Sequence, residues 1–546
     1  MRKFRHESTS CLSAATPISR RTLLQGTVSA SLLLGSSVSL TAAAQDLRKA
    51  APTAEVKTTA GSLRGVIQQG VNAFFGVPYA EPAVGKLRFA APVRVKPWTG
   101  VRDAIHIGTR SPQDALAGLG VLPEVFALDR AEPMGEDCLS INVWTPALGN
   151  GNRPVMVWLH GGGFTSGSGG WLLYDGARLA SSQDVVVVTV NHRLNIFGHL
   201  YLAGLGGDEY ADSGNAGLLD IVAVLQWVRD NISAFGGNAD NVTVFGQSGG
   251  AGKVCNLLAL ESAKGLFHRA IAMSGAALTA MKPEQATAQA ERLLSQLGLQ
   301  KNQVSRLREM PMEQLRDAYA AAPGLAMGPV VDGKHHKRDP FTPDAPAMSK
   351  DIPLMLGSTE HEVNFFRNTP VEPIDDATLE TLLMQATRRD AVAVASLLAT
   401  YKSEFGNRPN AEMNQIIASD NFRRGVIATG ALKSAQGGAP VYMYYFNWKS
   451  AARDGKLGAY HCLDIPFAFD NVDVGAAMTG AGQDRYELAA RMSTAFANFA
   501  RSGNPNHAGL PTWPAYDDVT RATMFFNANP AVVNNPFPAS RKALYG

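Results

Sequence analysis

Residues 241–260 read NVTVFGQSGGAGKVCNLLAL, and this stretch decides the fold. Asn241 to Phe245 is a short β-branched and aromatic run of the kind that forms a buried strand, and Gly249 to Leu260 reads as a helix. Gly246-Gln247-Ser248-Gly249-Gly250 is therefore the turn between them. A serine at the tip of such a turn has a strained backbone, and its neighbours pass so close to strand and helix that a Cβ would obstruct them. The geometry leaves the Ser248 hydroxyl exposed at a helix N-terminus, where a nucleophile is useful. With 53 glycines in 546 residues the pentapeptide alone is weak evidence, so its surroundings must carry the reading.

Upstream lie two apolar runs, Pro154 to Leu159 (PVMVWL) and Val185 to Val190 (VVVVTV). Continuous rather than alternating hydrophobicity marks strands covered on both faces. Residues 214–232 carry Leu218, Val222, Leu225 and Val228 at helical spacing, so the order up to Ser248 is βαβαβ. Further strands are expected at Arg269–Met273, Ile352–Leu356 and Val441–Phe446. The fold class is α/β, a mostly parallel central sheet with helices on both faces. Ahead of it, alternation around Gly61, Gly65 and Gly70 predicts a small antiparallel meander within 55–92, and Ser111 to Cys138 is loop-like. Charged helical patterns near 284–321 and 376–435 predict helical insertions around the mouth of a site. Glu487 to Arg501 predicts a helix ended by Gly503 and Pro505. With no internal repeat or low-complexity linker, 45–546 reads as one elaborated domain.

Residues 1–44 stand apart. Arg2, Lys3 and Arg5 form a basic start, Ser19-Arg20-Arg21-Thr22-Leu23-Leu24 is a twin-arginine pattern, and a mild apolar region to Leu40 leads to Ala42-Ala43-Ala44. This predicts a twin-arginine signal peptide cleaved before Gln45 and export of the folded chain to the periplasm or medium. The apolar region is short of the ~18–20 residues that a membrane span needs. The segment holds five bases and one acid (Glu7), so 50 bases fall to 45 and 47 acids to 46, and the net charge moves from +3 to −1. The basic balance therefore belongs to the signal, and neither nucleic acid nor a membrane surface is implied as a partner. Of the four cysteines Cys11 lies in the signal, leaving Cys138, Cys255 and Cys462, which is no disulfide framework.

A serine hydroxyl needs a base, an orienting acid and an oxyanion site. After PVMVWL the chain reads His160-Gly161-Gly162-Gly163-Phe164. Three glycines after a buried strand expose backbone N–H groups, so Gly162, Gly163 and Gly249 are the expected oxyanion donors. Where such a turn tops a parallel sheet, the acid and then the histidine follow the serine in the chain. Of His268, His335, His336, His361, His461 and His507, only His461 lies in a loop after the Val441–Phe446 strand, at the sheet's carboxyl edge. The His335-His336 pair lacks a third ligand at metal spacing. Glu360 and Glu362 both follow Ile352–Leu356, and spacing does not choose between them.

The blocks FFGVPYAEP, EDCLSINVW, HGGGF, VVVVTVNHRL, NAGLLD, FGGNADNVTVFGQSGG, LFHRAIAMSG, PVVDG, GSTEHEVNFF, GAYHCLDIPF and FARSGNPN follow one another between about Val56 and Tyr516. Together they make the chain resemble the type B carboxylesterases, the family of bacterial p-nitrobenzyl-type esterases, animal carboxylesterases and cholinesterases. The resemblance implies an α/β-hydrolase fold with a deep gorge, a small-molecule ester as substrate, and no cofactor or metal. The family pattern G-x-x-x-D-E-G-x-x-F falls on Gly357 to Phe366, which puts the catalytic acid on Glu362, the base on His461, and His361 in the aspartate's place. The reaction implied is ester cleavage through an acyl-enzyme on Ser248.

Departures from the pattern limit the resemblance. The usual GESAG becomes GQSGG, with Gln247 for glutamate and Gly249 for alanine. Ser111 replaces a cysteine, so the disulfide that the family makes to Cys138 cannot form. Ser111 to Cys138 has only Phe126 as an aromatic, where cholinesterases hold choline on a tryptophan. Without that ring or the anionic neighbour, cation recognition has no physical basis. Loss of the negative charge at Gln247 instead predicts tolerance of anionic esters. An amide, carbamate or lipid-ester hydrolase would use the same triad, whereas a non-catalytic binding protein on this fold would lack the serine or its partners.

Overall fold

The computed structural model describes residues 50–114, 122–126, 132–365 and 369–545. The export segment expected at 1–44 lies outside the described residues, as does part of the 111–138 loop.

The main sheet has eleven strands: β1 (Val66–Gln68), β2 (Val71–Pro78), β3 (Ser140–Thr145), β4 (Gly149–Leu159), β5 (Val186–Val190), β6 (Phe235–Gln247), β7 (Arg269–Met273), β8 (Leu354–Thr359), β9 (Val441–Phe446), β10 (Thr523–Phe526) and β11 (Ala531–Val533). Their order in space is β1-β2-β3-β5-β4-β6-β7-β8-β9-β10-β11. Neighbours from β5 through β4 and β6 to β10 are parallel. The two edges are antiparallel. Every residue of β5 is buried, as continuous apolar composition requires of a strand covered on both sides. Side chains alternate across β4. Val155, Val157 and Leu159 pack with Leu218, Ile221 and Leu225 of α1 (Ala216–Asn231) and with Val254 and Leu257 of α2 (Gly249–Leu257). On the opposite parity, Trp158 meets the rings of Phe245, Tyr174 and Phe469 at centroid distances of 4.9, 5.0 and 5.0 Å.

Both expected insertions are helical. The first contains α3 (Pro283–Gln296), a 3-10 run at Lys301–Arg308 and α4 (Met312–Ala320); the second contains α5 (Asp376–Thr387), α6 (Ala391–Phe405) and α7 (Asn410–Ala435). Asp375 and Asp390 cap α5 and α6 by accepting the N–H groups of Thr378 and Ala393, each at 2.8 Å. Each insertion has a core of its own, Leu293, Leu307 and Leu315 in the first and Leu383, Leu397 and Tyr401 in the second. Helix α8 spans Asp484–Ser502 and stops at Gly503 in a left-handed C-cap. Among the described residues no helix is long and apolar enough to cross a membrane.

Two expectations are corrected. Residues 55–92 do not form one meander: Val56–Lys57 and Ser62–Arg64 join Val101–Asp103 in a separate three-stranded sheet, whereas β1 and β2 extend the main one. The chain changes sheets at Gly65, where a Cβ would come within 2.1 Å of Ala73 O, and alternation alone does not say which edge a strand joins. Strand β8 begins at Leu354 rather than Ile352, because Pro353 has no N–H for the ladder, and it continues to Thr359.

A buried ion pair ties the sheet to α1. The Arg193 guanidinium, just beyond β5, donates to Asp220 of α1 at 2.6 and 2.9 Å and to Ala90 O at 2.8 Å. Side-chain exposures are 3% and 0%. Replacing Asp220 by alanine leaves that charge buried and unpaired, so Asp220→Ala is expected to cost about 3–5 kcal/mol. Denaturant titration against wild type measures it.

Candidate active site

Strand β6 ends at Gln247 and α2 begins at Gly249, so Ser248 forms the turn with φ 58° and ψ −120°. The unfavourable backbone is held from β7, since Ser248 N–H donates to Met273 O at 2.8 Å. A Cβ on Gly250 would sit 1.9 Å from Leu159 O, and one on Gly249 would sit 2.1 Å from Gly163 O. The absence of both lets the start of α2 press against the loop that leaves β4. In that loop Gly162 and Gly163 have φ of 88° and 63°, a region that side chains disfavour.

The expected acid and base, Glu362 and His461, follow the next parallel strands. After β8 the chain turns into a 3-10 segment at Glu362–Phe365, which buries Glu362 completely. One carboxylate oxygen accepts Thr359 N–H at 2.8 Å. The other accepts His461 Nδ1–H, so Glu362 and not Glu360 meets the histidine. That bond leaves His461 Nε2 as the basic nitrogen. Nε2 accepts the Gln247 side-chain amide at 3.1 Å, and Gln247 Oε1 accepts the Cys462 thiol at 3.2 Å. Among the described residues no hydrogen bond joins Ser248 Oγ to the ring; such bonds commonly close only with substrate bound. The rings of Phe365 and Phe422 flank the imidazole at 5.1 and 5.3 Å. Burial above all pushes the nearby Asp464 carboxyl up to about 7, with the Glu362 charge adding to it and the Tyr444 hydroxyl opposing.

His361 fits where the aspartate was expected. Its N–H donates to Ala459 O at 2.9 Å and its Nδ1 accepts Ala459 N–H at 3.0 Å, which fastens the acid-bearing loop to the loop carrying His461. The imidazole lies against Gly458, where a Cβ would be 2.5 Å from Nδ1. Glu360, His361 and Glu412 bring one ligand atom each within 4.8 Å of one another. Glu412 Oε1 already accepts Arg408 and Lys449 at 2.7 Å each, so the cluster is an ion-pair network rather than a cation site. The remaining downstream histidines have structural partners: His268 with Val242, His335 with Asp212, His336 with Asn256 and His507 with Arg491.

Ser111 stands where the disulfide's other cysteine would be, its hydroxyl accepting Leu194 N–H at 3.2 Å, and Cys138, Cys255 and Cys462 are all free and buried. Sequence reasoning singled out Gln247 for its charge but missed its contact with the base, and missed Cys462 as the group orienting that amide. Adjacency to His461 was the available signal for Cys462. Phe422, on α7 of the second insertion, carried none.

A family model described as "Carboxylesterase family" matches residues 52–543. The chain is 35% identical to the para-nitrobenzyl esterase of Bacillus subtilis, over 90% of this chain and 98% of that protein. It is 34% identical to the phenmedipham hydrolase of Pseudarthrobacter oxydans, over 84% of this chain and 92% of that protein. Among solved structures, a carboxylesterase of Geobacillus stearothermophilus superposes with a TM-score of 0.78 at 36% identity, covering 90% of this chain and all of that one.

Proposed function

This chain belongs to the carboxylesterase family and is a carboxylic ester hydrolase of the α/β-hydrolase fold, and we propose that it works through a Ser248-His461-Glu362 triad and an acyl-enzyme. The observation that carries this reading is the buried Glu362–His461 hydrogen bond, which leaves the other ring nitrogen, Nε2, on the side chain of the residue before Ser248. In acylation Nε2 exchanges the Gln247 amide for the Ser248 hydroxyl and takes its proton as Oγ attacks the ester carbonyl. Glu362 keeps the ring in the Nδ1–H tautomer and stabilises the imidazolium. The N–H groups of Gly162, Gly163 and Gly249 receive the developing oxyanion. His461 then returns the proton to the leaving alcohol, and water, deprotonated by the same nitrogen, releases the acid.

Gln247 shapes the substrate class. Fully buried and neutral beside the nucleophile, it puts no negative charge where a carboxylate-bearing substrate would be repelled. The preferred substrates are thus neutral or anionic small-molecule esters rather than choline-like ones. The export signal and the domain limits fit an exported enzyme: residues 1–44 direct a twin-arginine route, and 45–546 act outside the cytoplasm as a single catalytic domain.

An active-site-directed fluorophosphonate should label the Ser248 peptide, and labelling that persists in Ser248→Ala would refute the nucleophile. Gln247→Glu should lower the kcat/KM ratio of anionic to neutral esters about tenfold, by the Coulomb cost of one charge at close range. The ratio matters because any change in His461 basicity affects both substrates alike; an unchanged ratio rejects the charge argument. N-terminal sequencing of the exported enzyme should begin at Gln45, and an intact Met1 start in the exported fraction would exclude cleavage.

A further inference from the structure

Lys253 lies on α2, five residues beyond Ser248, and is 0% exposed. Its ammonium donates to His160 O at 3.0 Å and to Gly163 O at 2.9 Å, and sits 5.4 Å from the centre of the Phe164 ring. These carbonyls bracket the three-glycine loop. The two carbonyls between them are tied by other groups. His160 Nδ1 donates to Gly161 O at 2.8 Å, and the N–H groups of Thr165 and Ser166 reach Gly162 O at 3.2 and 3.0 Å. In a trans peptide the C=O of one residue points opposite to the N–H of the next, so Gly161 O and Gly162 O set the direction of the Gly162 and Gly163 amides, and Lys253 fixes the peptide on either side of that pair.

Nothing in ordinary helix packing asks for a lysine here. A buried ammonium costs several kcal/mol unless it is compensated, and the two partners of Lys253 are uncharged. The elements packed around it supply His160 after β4, and His192 and His199 after β5, with the Arg193–Asp220 pair beyond His199. Burial first, and the Lys253 charge second, push His160 and His199 down to about 3 and His192 well below its usual value, so all three are neutral. Burial also brings Lys253 itself down to about 7. Among Lys253 and the three histidines, Lys253 alone changes charge near neutrality.

We infer that Lys253 is a positioning residue for the oxyanion site: it holds the Gly161–Gly163 loop by its two outer carbonyls so that the Gly162 and Gly163 amides face the acyl oxygen, and its positive charge strengthens that oxyanion's binding. The inference rests on the acyl-transfer reading of Ser248. Its pH dependence has a definite sign. The native pKa lies below that of an unfolded lysine, so the charge is present below about 7 and is lost as pH rises through that value. A neutral amine still donates to both carbonyls, so the loop keeps its place while the charge disappears. The oxyanion's share of the rate should therefore fall as pH rises through about 7.

The test uses the full-length enzyme with a neutral p-nitrophenyl ester, over about pH 6 to 10 and corrected for spontaneous hydrolysis. A trifluoromethyl ketone, which adds Ser248 to form an oxyanion, is titrated beside the product acid, which does not. Wild type should show kcat falling on the alkaline side. Lys253→Met should lower kcat about 100-fold with KM little changed, abolish that fall, and weaken the ketone but not the product acid by a matching factor. Lys253→Arg, charged throughout the range, should remove the alkaline fall while keeping more activity than Lys253→Met. A folded Lys253→Met that retains kcat within about threefold and the wild-type pH profile overturns the inference. If Lys253→Met does not fold, wild type and Lys253→Arg decide: kcat without an alkaline fall in wild type, or the same fall in Lys253→Arg, overturns it. Fluorophosphonate labelling of Ser248 in wild type separates the two levels, since its loss would discredit the acyl-transfer reading rather than the role of Lys253.

Discussion

Helix α2 can start where it does only because Gly249 and Gly250 bring no side chain to the end of β4. Their Cα positions are so near Gly163 O and Leu159 O that a single methyl on either would part helix and loop. Three features depend on this contact. Ser248 is forced into a strained backbone conformation, the glycine loop is stacked directly against the Ser248 turn, and Lys253 comes within reach of the loop carbonyls. The parallel sheet supplies the rest, because β6, β7, β8 and β9 end side by side and deliver Ser248, Glu362 and His461 to one edge.

The electrostatics of that edge follow from burial. Glu362 is saturated by Thr359 N–H and His461, so its charge is held by directed hydrogen bonds rather than by a cation. Around it lie the Asp464 carboxyl, which burial pushes up to about 7, a thiol at Cys462 and an amide at Gln247. On the other side of Ser248, three buried histidines stay neutral while one lysine does not. Ser248 thus lies between a carboxylate paired with His461 and an ammonium held by uncharged carbonyls, a polarity that suits the proposed chemistry.

Much of this was legible in the chain. Strands covered on both faces announce themselves by unbroken apolar runs, which is why β5, β7 and β9 fall within a residue of expectation and why the serine turn could be placed between strand and helix. His461 stood out because a loop follows its strand. Glu360 and Glu362 remained equivalent until the resemblance was considered, since both sit just past the same strand; the 3-10 turn beginning at Glu362 is what separates them in space. The split of 55–92 between two sheets, the Phe422 ring beside His461 and the reach of Lys253 across to His160 O were not legible. Each depends on distances between segments far apart in the chain, which local pattern does not encode.

His361 gives the site a mechanical character. With its main chain and ring both fastened to Ala459, the loops bearing Glu362 and His461 form one splice between β8 and β9. Glu362 and His461 are then a single moving part. A push from the flanking α7 insertion or from an entering substrate shifts both together and leaves their mutual distance intact, so the helices around the mouth are free to vary in shape without detuning the pair.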